Sequence, residues 1–93
     1  KPGMILSNEP GYYKKGKFGI RIENLIFIKK NKKEMLFDNL TYAPIDKNLI
    51  VKELLNKKEI FWLNRYHKKV YKTLKKYMDK KELNFLKISC SNI

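Results

Sequence analysis

The spacing of apolar positions along this chain changes once, near Pro44. From Met4 to about Leu40, β-branched, aromatic and Leu residues come in runs of four to nine separated by turn-forming residues, which is the pattern of strands. Three are expected: "GMILSN", a longer "FGIRIENLIFI", and "KEMLFDNLTYAP". Pro10-Gly11 and "KKGK" turn the chain between the first two, and "KKNKK" makes a charged hairpin tip between the second and third. Short connections between consecutive strands predict an antiparallel meander, closed by Ala43 because Pro44 has no N–H to give to a ladder.

Beyond Pro44 the apolar residues recur every three or four positions, and helices are expected over about 47–55, 57–78 and 80–89. Asp46 caps the first. Asn56 with Glu59, and Asp79 with Glu82, have the spacing of capping boxes at the next two starts. On the long helix Ile60, Leu63, Tyr66 or His67, Val70, Leu74 and Tyr77 make the apolar face, while Lys57, Lys58, Lys68, Lys69, Lys72, Lys75 and Lys76 mostly occupy the rest. The class is α+β, with antiparallel strands over about 4–43 followed by helices. The division is a strand segment 1–45 and a helical segment 46–93 packing on it.

Composition narrows the function classes. With 93 residues there is room for one small domain and a modest core. Hydrophobic residues make up 43%, too many for a disordered tail. The net charge is +13, from 9 basic and 5 acidic residues through Asp46 and 13 and 4 beyond it, so the excess concentrates in the second half. That balance attracts phosphates or anionic lipid. Only two of the 22 basic residues are Arg, however, and Arg is the residue suited to bidentate recognition, so the charge argues poorly for nucleic acid as the partner. No run reaches the length of a membrane span and no signal-peptide pattern opens the chain. The single Cys90 fits a reducing, cytoplasmic setting. A sequence opening at Lys1 is expected to be part of something longer.

The anomaly is acidic. Glu9 closes the first strand just before Pro10-Gly11, and alternation along the second puts Arg21, Glu23, Leu25 and Phe27 on the face opposite Ile20, Ile22, Ile26 and Ile28. Both faces are then mostly apolar, and charges on a strand buried on two sides are costly unless paired or bound to metal. Two readings stand at this point. One is an ion pair of Arg21 with Glu23 or Glu9 at a sheet edge; the other is a carboxylate site in which Glu9 and Glu23, on neighbouring antiparallel strands, bind a hard or borderline divalent cation.

"GMILSNEPGYY" followed by "FGIRIEN", with Glu9 and Glu23 14 positions apart, resembles the C-terminal part of the catalytic domain of Xaa-Pro aminopeptidases, the aminopeptidase P branch of the pita-bread metallopeptidases. "LTYAPID" and "EIFWLNRYHKKV" resemble the larger cytosolic members and their C-terminal extension, so the likeness covers nearly the whole chain. The resemblance implies a partial pita-bread fold and hydrolysis that releases the N-terminal residue preceding proline. It also implies a centre of two divalent metal ions, usually manganese, held by two Asp, one His and two Glu. Glu9 matches the Glu that binds one metal and acts as general base; Glu23 matches the Glu that bridges both. Arg21 would order these carboxylates from behind, and Tyr12 and Tyr13 would line the substrate cleft or simply cover the sheet. The extension resembles one that supports homodimers. The family's Asp and His ligands lie upstream of its E-P-G motif, so two of five ligands are expected on these residues. The isolated chain, whether a truncated, degraded or split product, is then expected not to turn over X-Pro peptides, unless a segment with the missing ligands associates with it.

Other residues have plainer expectations. Phe61 and Trp62 are expected to pack the long helix onto the rest, Trp62 with a dimer contact as its alternative. His67 reads as a partly buried helix residue with a satisfied nitrogen, and Cys90 as inert. Against the metallopeptidase reading stand a small basic nucleic-acid-binding module, motivated by the charge and the aromatic residues, and a noncatalytic interaction piece.

Overall fold

The computed structural model describes residues 1–93, which form two compact units, Lys1–Thr41 and Tyr42–Ile93. The first contains five strands: β1 (Ile5–Asn8), β2 (Gly11–Lys14), β3 (Phe18–Arg21), β4 (Asn24–Asn31) and β5 (Glu34–Asn39). β1, β4 and β5 pair in that order as an antiparallel sheet, and β2 and β3 form a two-stranded ribbon. One register runs through both. Ile5 faces Phe27 and Asn8 faces Asn24 in the sheet, and Gly11 faces Arg21 and Lys14 faces Phe18 in the ribbon. The Pro10 carbonyl, accepting from the Ile22 N–H at 3.1 Å, continues the same register between them. The first and second expected strands are therefore one long hairpin broken in the middle. The break falls at Pro10, which has no N–H to return to the ladder.

The expected three-strand meander thus becomes five strands, and β5 stops at Asn39, short of Ala43. Leu25 takes over the end of the sheet: its carbonyl accepts from the Leu40 N–H at 2.8 Å, and its own N–H donates to the Thr41 hydroxyl at 2.7 Å. At the other end Lys32 and Lys33 turn β4 into β5, with Lys32 at a left-handed φ of 56°. Within these residues β4 is half-buried at Asn24, Ile26, Phe27 and Ile28. No residue of Lys1–Thr41 is buried within this chain, because nothing in the unit covers either face of the sheet.

The second unit is helical. The expected helix over 47–55 is instead two 3₁₀ turns, Lys47–Leu49 and Lys52–Leu54. Asp46 caps the first, accepting from the Asn48 N–H at 3.0 Å, and between the turns β-branched Ile50 takes an extended backbone (φ −107°, ψ 126°) that a continuous helix cannot use. α1 (Lys57–Leu74) and α2 (Lys80–Ser89) follow, and the last turn of the former tightens to 3₁₀ at Lys75–Tyr77 rather than running helical to 78. Both capping boxes form. Asn56 Oδ1 accepts from the Glu59 N–H at 2.8 Å while Glu59 accepts from the Asn56 N–H at 2.9 Å, and Asp79 and Glu82 exchange the same bonds at 2.8 and 3.1 Å. The backbone bond to Asp79 from Glu82 keeps that carboxyl below its usual value.

Here there is a core. Tyr66, Val70, Leu86 and Cys90 are buried together, with Tyr42, Ile45, Tyr71, Leu74 and Met78 packed around them. Phe61 and Trp62 do not join it: they are 68% and 57% exposed, contrary to their expected packing. Two positions explain this, since Leu63 and Tyr66 already occupy the inward arc of that part of α1 and a helix turns adjacent residues by about 100°. Polar anchors tie the approach segment down. The Tyr66 hydroxyl donates to the Ala43 carbonyl at 2.6 Å, the Ile45 N–H donates to His67 Nε2 at 3.0 Å, and Lys47 Nζ donates to the Ile88 and Ser91 carbonyls at 3.0 and 2.8 Å, closing the end of α2. Cys90 is part of the core, and burial pushes its thiol up, consistent with an inert group.

Candidate metal centre

The break in the long hairpin is where the acidic residues sit. Asn8 faces Asn24 and Pro10 bonds Ile22, so the shared register sets Glu9 opposite Glu23. Directly opposed residues on an antiparallel pair share a face with their Cβ atoms about 4.5–5.5 Å apart, a position where two carboxylates repel unless a cation lies between or beside them. A cation is at hand. Arg21, two residues before Glu23 and on the same face, places Nε 3.5 Å from a Glu23 oxygen. Its guanidinium is held protonated above its already high ordinary value, first by a hydrogen bond with Tyr13 and then by the charges of Glu23 and Glu9. About half of each side chain of the Arg21–Glu23 pair remains exposed, so the ion pair itself stabilises little.

Glycines make this arrangement possible. A Cβ on Gly19 would come within 2.6 Å of the Tyr13 ring, and one on Gly11 within 2.7 Å of the Tyr13 hydroxyl. The ring therefore lies flat along the ribbon over two residues without side chains, and its hydroxyl reaches Arg21. The sequence reading missed both glycines, although a Gly inside a strand pattern is itself a sign of close approach. Tyr12, by contrast, points to the opposite face, where its ring lies 6.0 Å from that of Phe18. The structure thus sets Glu9, Arg21, Glu23 and Tyr13 together on one face and Tyr12 on the other. The backbone after Glu23 is pinned as well: Asn24 donates from its amide to Asn39 Oδ1 at 3.1 Å, and Asn39 in turn donates to the Thr41 carbonyl.

His67 belongs to a different environment. Its ring is fully buried in the helical unit, Nε2 accepts from Ile45, and Nδ1 has no hydrogen-bond partner. Burial lowers its pKa, and the nearby Lys47 lowers it further.

Comparison with known proteins identifies the family. Residues 33–93 match the sequence model described as the C-terminal region of peptidase_M24, and residues 1–30 match that of metallopeptidase family M24. The chain belongs to the M24 metallopeptidases. A "Probable Xaa-Pro aminopeptidase P" of Laccaria bicolor is 40% identical over 101 residues, spanning 98% of this chain and 16% of its own length. "Xaa-Pro aminopeptidase 1" of Dictyostelium discoideum is 42% identical over 95 residues, or 91% of this chain and 15% of its own. The crystal structure of X-prolyl aminopeptidase from Caenorhabditis elegans, described as a cytosolic enzyme with a di-nuclear active site, superposes with a TM-score of 0.84 at 37% identity, covering all of this chain and 17% of that one. The strands and helices are accordingly a piece of the pita-bread architecture. This M24 segment spans about one sixth of the length of the relatives it matches.

The residues present suit a metal in kind. Glu9 and Glu23 offer opposed hard oxygen donors of the sort divalent cations prefer. Nowhere in the chain do three or more His, Cys, Asp or Glu side chains converge.

Proposed function

We propose that this chain is the C-terminal part of a dinuclear-metal Xaa-Pro aminopeptidase, supplying two of the ligands that hold the metals and the extension that follows them. The observation that carries this reading is the facing of Glu9 and Glu23 across one broken hairpin, in a chain whose relatives bear that enzyme's name. Glu9 and Glu23 would hold the two ions, with Glu23 shared between them. Divalent ions at such a centre, most simply manganese, lower the pKa of bound water and polarise a scissile carbonyl.

The chain's own residues have definite parts. The Glu9 carboxylate accepts the proton of the attacking water, in the role of general base. Glu23 is ion-paired to Arg21, whose fixed positive charge lies 3.5 Å from one of its oxygens and offsets the repulsion from Glu9. Arg21 in turn is held by Tyr13, so the tyrosine acts on the carboxylates through the arginine. Tyr12, on the other face, fits a surface covering role better than a cleft wall. The substrate would be a peptide with proline in second position, and the setting cytosolic, as described for the nematode enzyme. A homodimer through the helical extension is the assembly this reading favours.

The test is complementation. The chain is produced together with the upstream part of the Dictyostelium enzyme, and release of the first residue from an X-Pro-X peptide is followed with manganese. Release that needs both pieces and is lost in Glu9→Gln and Glu23→Gln supports the reading. Release by this chain alone, or undiminished release by the two variants, contradicts it.

A further inference from the structure

The outward face of α1 bears a pattern that aminopeptidase chemistry does not use. Lys57, Lys58, Arg65, Lys68, Lys69, Lys72, Lys75 and Lys76 are all exposed. At 3.6 residues per turn the six cations of α1 fall within an arc of about 120°, and Lys75 and Lys76 continue the stripe in the 3₁₀ turn that follows, over roughly 28 Å of axis in all. None of the residues on this stripe is acidic; besides the eight cations it holds Phe61, and Trp62 borders its edge, the two rings 68% and 57% exposed near its N-terminal end. Glu59, the acidic residue of this helix, lies outside the arc, its carboxylate engaged with the Asn56 N–H of the cap. Trp62 is not loose: its indole stands edge-on against the Tyr66 ring at 5.4 Å, and Tyr66 is anchored in the core.

A solvated face requires polar residues but not a single sign of charge, and like charges at i,i+4 spacing, as at Arg65/Lys69, Lys68/Lys72 and Lys72/Lys76, each destabilise a helix slightly. A polyanion laid along the arc would turn that repulsion into attraction. We propose that the outer face of α1 binds single-stranded nucleic acid without sequence preference, its cations following the phosphates and Trp62 and Phe61 stacking on bases. Several features favour this partner over a membrane. The scarcity of Arg, which argues against base-specific recognition, does not weigh against a sequence-tolerant mode, because Lys neutralises phosphate as a point charge without reading base edges. Charge plus exposed aromatic rings is the general device for sequence-tolerant single-strand binding. Two aromatic residues at one end of a 28 Å stripe would give a bilayer little apolar area to bury, in contrast to the continuous apolar face of an interfacial helix.

Trp62 is the one tryptophan of the chain, so its fluorescence reports on this face alone. Oligo-dT titrated into the 93-residue chain at 50 mM salt is expected to quench it saturably, with log affinity falling against log salt at about 0.7 per phosphate neutralised. Replacing Lys58, Arg65, Lys68 and Lys72 by Gln, which keeps good helix formers in place, is expected to weaken binding about tenfold or more and flatten the salt slope. The charge-keeping set Lys58→Arg, Arg65→Lys, Lys68→Arg and Lys72→Arg retains it. Removing the same number of charges from the strand unit, by Gln at Lys14, Lys15, Lys17 and Lys30, leaves the affinity within about twofold. Equal weakening by both Gln sets would mean that net charge alone drives association and overturns the proposal. So would absent quenching at 50 mM salt, or a blue shift with phosphatidylserine vesicles where oligo-dT produces no change.

Discussion

The two units of this chain solve the same problem in opposite ways. Tyr42–Ile93 carries its own core, with Tyr66, Val70, Leu86 and Cys90 buried together, two capping boxes, and a lysine closing the last helix. Lys1–Thr41 has no fully buried side chain within these 93 residues: Ile5, Ile20, Ile22, Leu36 and Phe37 are exposed, Ile26, Phe27 and Ile28 are half-buried, and the ladders with a few side-chain bonds hold the strands in register. The chemistry sits on the second kind of ground. Glu9 and Glu23 are positioned by backbone register and a glycine floor rather than by packing, so their geometry answers to single residues of the ribbon while the stability of the helical unit answers to its core.

That contrast is breakable from either side. Leu86→Ala, at a position 4% exposed, should cost the helical unit about 2–5 kcal/mol. Amide exchange would show α1 and α2 losing protection while β4 and β5 keep theirs, and a parallel loss in both would mean that the units are not independent. Gly19→Ala attacks the other side. A methyl 2.6 Å from the Tyr13 ring must displace it, at about 1–3 kcal/mol of local strain. The side-chain N–H signals of Arg21 should then shift as the Tyr13 ring moves away from the guanidinium, with the helical unit unmoved.

Acid provides a third probe, confined to the helical unit. His67 is buried with its pKa lowered, so the folded unit holds the neutral ring while the unfolded chain protonates near the ordinary value of about 6.5. The unfolded state then binds more protons as pH falls. Stability is complete above about 6.5 and declines below it, by up to about 1.4 kcal/mol per pH unit, until the lowered folded value is reached. Protonation would also take Nε2 away from the Ile45 N–H. Thermal unfolding of the wild type and His67→Gln between pH 5 and 7.5 should show the slope in the first and its loss in the second. The smallest expected effect is that of Asn56→Ala, about 1 kcal/mol from the lost cap, read as fraying of the first turn of α1.

The same contrast explains what could be read from sequence. The helical unit was largely legible because its periodicity and caps are local: Asn56, Glu59, Asp79 and Glu82 announced both helix starts, and Leu63 and Val70 the buried face. Phe61 and Trp62 misled, because hydrophobic character alone does not say on which arc a residue falls. In the strand unit the runs were visible but their interruption was not. Pro10 reads in sequence as a turn, whereas its consequence is a gap in a ladder with Ile22, 12 residues away. The opposition of Glu9 to Glu23 depends on that register, and the flattening of Tyr13 over Gly19 on a cross-strand contact, neither of which a one-dimensional pattern contains. What the motif resemblance added was the identity of the carboxylates as a pair.

The facing of Glu9 and Glu23 as a metal-binding pair is most directly tested by titrating manganese into the isotopically labelled chain and following paramagnetic broadening of its amides, which reports even weak binding without any turnover. The account predicts that broadening begins at Glu9, Gly11, Glu23 and Asn24 and is lost in both Glu9→Gln and Glu23→Gln. Broadening centred elsewhere, or unchanged in either variant, would contradict it.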